Sequence, residues 1–126
     1  MATIPESLQQ ALEIDGALAS ALGNWKSGEC MEVQTIPGQE ASHSAIETAF
    51  SQYTKVIRVR SEALDHVSLD DSLEDILISF NDRIHLLRLV ETAPHVVFFL
   101  VLDRKQANLA VARMAMAQIS NHLTVS

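Results

Sequence analysis

The segment His95 to Leu102 reads HVVFFLVL, and its last seven residues, Val96 to Leu102, are all apolar. A membrane-spanning helix needs about 20 such residues. The run does not alternate, so both of its faces need cover, which places it mid-sheet with layers above and below. The rest of the chain must therefore supply two covering layers. With 126 residues and 48% hydrophobic content, it is long and apolar enough for one domain with a sizeable core. Aromatics are only 5%, so Leu, Val, Ile, Ala and Met must build most of that core.

The covering elements can be read on either side of this strand. Thr3-Ile4-Pro5-Glu6 is a helix start: Thr3 and Glu6 have capping-box spacing and Pro5 suits a first turn. That helix presents Leu8, Ala11 and Leu12 on one face and ends before Asp15-Gly16. Residues 16–23 (GALASALG) form a strand with Leu18, Ser20 and Leu22 on one face and Ala17, Ala19 and Ala21 on the other. The alanines admit a closely packed helix, so the strand is internal. A turn at Asn24-Trp25-Lys26-Ser27-Gly28 leads to a second, half-polar strand, Glu29 to Thr35, of edge character.

Ile36-Pro37-Gly38 breaks the pattern. A helix over about 42–64 follows, with Ser42 or Ser44 as its cap. It carries two apolar rows, one through Ile46, Phe50, Tyr53, Ile57 and Leu64 and the other through Ala45, Ala49, Val56, Val59 and Ala63. That arc is wider than one sheet contact requires. A meander comes next: strand 75–80, a turn at Asn81-Asp82 that tolerates positive φ, strand 83–90, a turn at 91–94, and the apolar strand. Asp103 and Gln106 are spaced as a capping box for a last helix over about 103–123. Its first row holds Ala107, Ala110, Val111, Met114, Ala117 and Gln118; its second holds Leu109, Ala112, Met116, Ile119 and Leu123. The order α-β-β-α-β-β-β-α defines an α+β class: a single domain over 1–126 with a five-stranded antiparallel sheet bearing helices on both faces.

Charge narrows the function. The formal net charge is −7, which disfavours nucleic acid and anionic membrane surfaces. Residues 1–50 hold one base, Lys26, against seven acids, whereas the remainder is nearly balanced. This acidic half suits a basic protein partner. The first sixteen residues contain no Lys or Arg, unlike a secretory or mitochondrial leader, so a cytoplasmic location is expected. A single cysteine, Cys30, forms no internal disulfide.

Catalytic and cofactor patterns are missing. The sequence has no GxxxxGK[ST], no GxGxxG, and no His or Cys spacing suited to zinc among His43, His66, His85, His95, His122 and Cys30. His85, in an apolar strand, is read as a satisfied sheet histidine. Asp70-Asp71 and Glu74-Asp75 lack the further oxygens of a calcium loop. No catalytic residue, metal or cofactor is assigned.

The sheet edge carries more information. Ile76-Leu77-Ile78 opens the meander, and its sequence neighbours lie on one side, so it is an outer strand. It has no Lys, Pro or central charge to guard its edge. Combined with the wide apolar arc of the middle helix, this predicts a two-fold homodimer built on Ile46, Ala49, Phe50, Tyr53, Ile57, Ile76, Leu77 and Ile78. Trp25, Lys26, Glu29 and Glu32, on the first hairpin, are the candidates for contact with another partner.

The residues that carry a family resemblance are Leu18 to Gly28 (LASALGNWKSG), Glu74 to Ile78 (EDILI), His85 to Arg88 (HLLR), Leu100 to Arg104 (LVLDR) and Ala107 to Ala110 (ANLA). In this order and spacing the chain resembles the roadblock / dynein light chain domain family, over roughly 6–123, and most of all its short stand-alone bacterial members. The resemblance implies a profilin- or longin-like fold, with two helices on one sheet face and the middle helix on the other. It also implies a homodimer through that helix and the third strand, and no chemistry of its own. Its implied partners are small Ras-like GTPases, or else the subunits of a signalling or motor complex that it scaffolds. A small-ligand sensor is a third reading.

Overall fold

Val96 to Leu102 runs through the centre of a five-stranded sheet and is buried along its whole length. The computed structural model describes residues 2–38, 43–66 (63–66 by backbone only) and 73–124. In chain order the elements are α1 (Ile4–Leu12), β1 (Ala17–Asn24), β2 (Cys30–Thr35), α2 (His43–His66), β3 (Asp75–Ser79), β4 (Arg83–Leu89), β5 (Val96–Asp103) and α3 (Leu109–His122). The strands lie in the order β2-β1-β5-β4-β3, every pair antiparallel. This is the predicted architecture, and β2 and β3 are its two edges.

The two sheet faces carry separate cores. Phe98, Leu100 and Leu102 of β5 face α1 and α3, where they meet Leu8, Ala11, Leu86 and Met116. Val97, Phe99 and Val101 face α2 and pack with Ala19, Ala21, Ile46, Phe50, Ile57 and Leu87. The parity of β5 thus sorts its side chains between two layers, as a strand apolar on both faces demands. α1 begins as read: Thr3 accepts from the Glu6 amide while the Glu6 carboxylate reaches back to Thr3. α2 approaches β1 over small residues. A Cβ on Gly23 would run into the Glu29 carbonyl oxygen and would sit 2.7 Å from the Phe50 ring.

Four local expectations are corrected, and a fifth, the cap of α2, is corrected for Ser44 alone. A register shift between Ala17 and Ala19 turns Ala17 toward the α1/α3 core and leaves Leu18 against the α2 core, so the alternation of β1 breaks at its start. Ser44 lies inside α2, where its carbonyl accepts from the Thr48 hydroxyl, and Ser42 is outside the described residues. The turn at Asn81-Asp82 needs no positive φ; it closes with the Phe80 amide on the Arg83 carbonyl. α3 starts at Leu109, not 103, and its cap is Asn108, whose side chain accepts from the Val111 amide. The Asp103 amide still donates to the Gly16 carbonyl, and the Asp103 carboxylate turns the chain by accepting from the Lys105 amide. Finally, the second row of α3 enters the core through Ala112 and Met116, while Ala110, Val111 and Met114 of the first row face outward.

Candidate interaction surface

Of the two apolar rows on α2, the sheet takes only one. Ile46, Phe50 and Ile57 are 5%, 0% and 3% exposed, consumed by the α2-side core. These three were expected at the homodimer interface. They have no surface left to offer a second chain, and this part of the expected set is corrected. The other row is the more open: Ala45 is exposed, Ala49 is half-buried where it touches the same core, and Val56 and Val59 are 56% and 65% exposed. Two valines bare by more than half, one turn apart on a 24-residue helix, form an apolar stripe of the kind partners cover.

The β3 edge lies beside the same layer. Ile76 and Ile78 point to the α2 side and are half-buried there, while Leu77 points to the other face and is 41% exposed. β3 pairs only with β4, so its outer backbone groups meet no strand among the described residues. Asp75 holds the strand's first residue in place through Arg113 at 3.0 Å and Arg88 at 3.5 Å. Arg104 closes the far end on the Ser79 hydroxyl and Phe80 carbonyl.

The hairpin tip is built into the body of the protein. Trp25 donates its indole N–H to the Pro94 carbonyl at 2.8 Å, its amide bonds the His95 carbonyl, and its ring stands edge-on to His95. From α2, the Arg58 guanidinium donates to the Trp25 carbonyl at 2.6 Å and to Thr54. Gly28, at φ +79°, makes the turn close under Arg58 and Thr54. Of the four hairpin residues singled out for a partner, Trp25 is half-buried, Lys26 lies over the Trp25 ring, Glu29 is exposed, and Glu32 is half-buried on β2.

A cavity of about 540 Å³ opens beside this tip. Its lining includes the apolar Trp25, Ile57, Leu89 and Val90 and the charged Arg60 and Glu91.

Packing, not a catalytic arrangement, displaces the titratable groups on this side of the sheet. Burial, and then Glu47, push the Cys30 thiol up to about 11, which suppresses its thiolate at neutral pH. Tyr53 of α2 places its hydroxyl 2.8 Å from His85 Nδ1, the partner expected of a satisfied sheet histidine. Burial and then Arg83 lower the His85 pKa, and burial raises that of Tyr53. The neutral imidazole and the phenol therefore share one hydrogen bond, whose direction follows the tautomer of the ring. Among the described residues, no cluster of three or more His, Cys, Asp or Glu is arranged to hold a metal, and no helix is long and apolar enough to cross a membrane. Sequence reasoning missed the Arg58 clamp. Its only signal was an arginine one turn after Thr54 on an otherwise polar face.

Three-layer order, strand topology and edges together define a roadblock-type fold. Solved structures carry the same fold at low sequence identity. A Roadblock/LC7 domain from Streptomyces avermitilis superposes with a TM-score of 0.74 at 8% identity, covering 94% of this chain and 92% of that one. MglB from Myxococcus xanthus gives 0.72 at 10%, covering 91% and 86%. The gliding protein MglB from Thermus thermophilus gives 0.68 at 15%, covering 92% and 87%. No protein-family model and no curated protein sequence matches the chain.

Proposed function

We propose that this chain is a non-catalytic regulatory module that forms a homodimer and binds a small Ras-like GTPase. The observation that carries the self-association is the outward row of α2, Ala45, Ala49, Val56 and Val59, lying in the layer next to an unguarded β3 edge. Two copies related by a two-fold axis bury this row against itself and join β3 to β3, which removes the edge. The interface is thus assigned to the outer row with Tyr53 and Ile76 to Ile78, in place of the core-facing Ile46, Phe50 and Ile57. The GTPase assignment is supported by the sequence resemblance and by the shared fold with MglB structures.

Affinity capture with the full chain, loaded in parallel with GDP and a non-hydrolysable GTP analogue, tests the partner. A GTPase retained in one nucleotide state supports the proposal. Partners retained equally in both favour the scaffold reading.

One observation favours a second reading. The cavity beside Trp25 falls within the size range of small-ligand sites. A metabolite that raises the melting temperature and quenches Trp25 fluorescence would support a sensor.

A further inference from the structure

His85 stands where the two elements of the proposed interface meet. It pairs with Ile78 of β3 across the ladder, and its ring lies against Tyr53 of α2. Phe80 and Phe99 box it in, with ring centroids 4.8 and 5.4 Å away. From α2, the titratable group that faces it is the Tyr53 phenol. From β3 it meets Ile78 and then Phe80, and from β5 Phe99 and Val101, none of them charged. The only charge among the described residues that weighs on it is Arg83, two positions back on β4 and of the same sign as an imidazolium.

The neutral ring shares one hydrogen bond with Tyr53, in either direction according to its tautomer. A protonated ring can only donate from Nδ1, so the phenol must accept, and a cation is left in an aromatic box beside Arg83 with no counter-charge among the described residues. Tyr53 lies one turn before Val56 of the outward row, and Phe80 continues the β3 edge and is 43% exposed. Covering this junction with a second copy deepens the burial of the ring. By linkage, protonation then opposes association.

We infer that the Tyr53–His85 pair is a proton-sensitive latch, holding α2 and the β3 edge in the arrangement that self-associates and weakening self-association when protonated. This rests on the homodimer reading given above.

Sedimentation velocity of the wild type and of His85→Gln, from pH 7.5 to 5.5, tests it. The wild-type dimer is expected to weaken as pH falls through the His85 value of the dissociated chain, which burial holds below the ordinary 6.5, by up to about tenfold per pH unit for each proton taken up on dissociation. His85→Gln is expected to dimerise at pH 7.5 and to lose that part of the slope. Comparing the two cancels the contributions of the other histidines. A wild-type dimer with the same pH slope as His85→Gln overturns the latch alone. A wild type that is monomeric at every pH overturns the homodimer reading, and the latch with it. Should His85→Gln fail to fold, an NMR titration of the His85 ring in the wild type at low and high protein concentration decides: a lower midpoint at high concentration supports the latch, and the same midpoint at both overturns it.

Discussion

Arg58, Gly23 and Cys30 show how single side chains fix the region around the hairpin. The Arg58 guanidinium bonds a backbone carbonyl at 2.6 Å, a charge-assisted contact that joins α2 to the β1–β2 turn. Arg58→Met is expected to destabilise the fold by about 1.5–3 kcal/mol, read by urea denaturation with Trp25 as the fluorophore. Gly23 is required by close approach. Gly23→Ala must displace both the Phe50 ring and the Glu29 carbonyl, at a cost of about 1–3 kcal/mol in the same assay. Cys30, raised from 9.0 to about 11, carries about 100-fold less thiolate than an ordinary cysteine at pH 8. Its alkylation should be slower in the native protein by that order and should recover on unfolding; equal rates would contradict the buried thiol. Much at this scale was not legible in the sequence. Neither Arg58 with the Trp25 carbonyl nor Tyr53 with His85 is near in sequence, and no local pattern signals such pairings.

The elements were more legible, because hydrophobic period and turn chemistry are local. The apolar run of β5 dictated two covering layers, and both are present. Thr3 and Glu6 marked the start of α1 correctly, whereas Asp103 and Gln106, at the same spacing, did not start α3. The β5 ladder still held Asp103 there, so the helix waited for Asn108. Asn108→Ala should cost about 1 kcal/mol of stability by thermal melting. The α2 helix shows where sequence runs out. Two apolar rows were visible, but which one the sheet would take depends on how α2 is rolled above Ala19 and Ala21, and this is set by tertiary packing. Ile57→Glu places a charge in that core and should unfold or severely destabilise the chain. Val59→Glu, on the outward row, should leave the monomer fold intact by circular dichroism.

At the scale of the molecule, the two sheet faces are closed unequally. One is covered by two helices, while the other is covered by a single long helix with an apolar row left over beside an open edge. The proposed homodimer would cover both features at once. Of the acidic residues in the first half, Glu6 lies on α1, Glu32 on β2 and Glu47 at the start of α2. The measurement that bears most directly on this account is sedimentation equilibrium of the wild type and Val59→Glu at micromolar concentration, pH 7.5. The account predicts a wild-type mass of about twice 13.9 kDa and a folded Val59→Glu at 13.9 kDa. A wild type at 13.9 kDa, or a Val59→Glu as dimeric as the wild type, would contradict it.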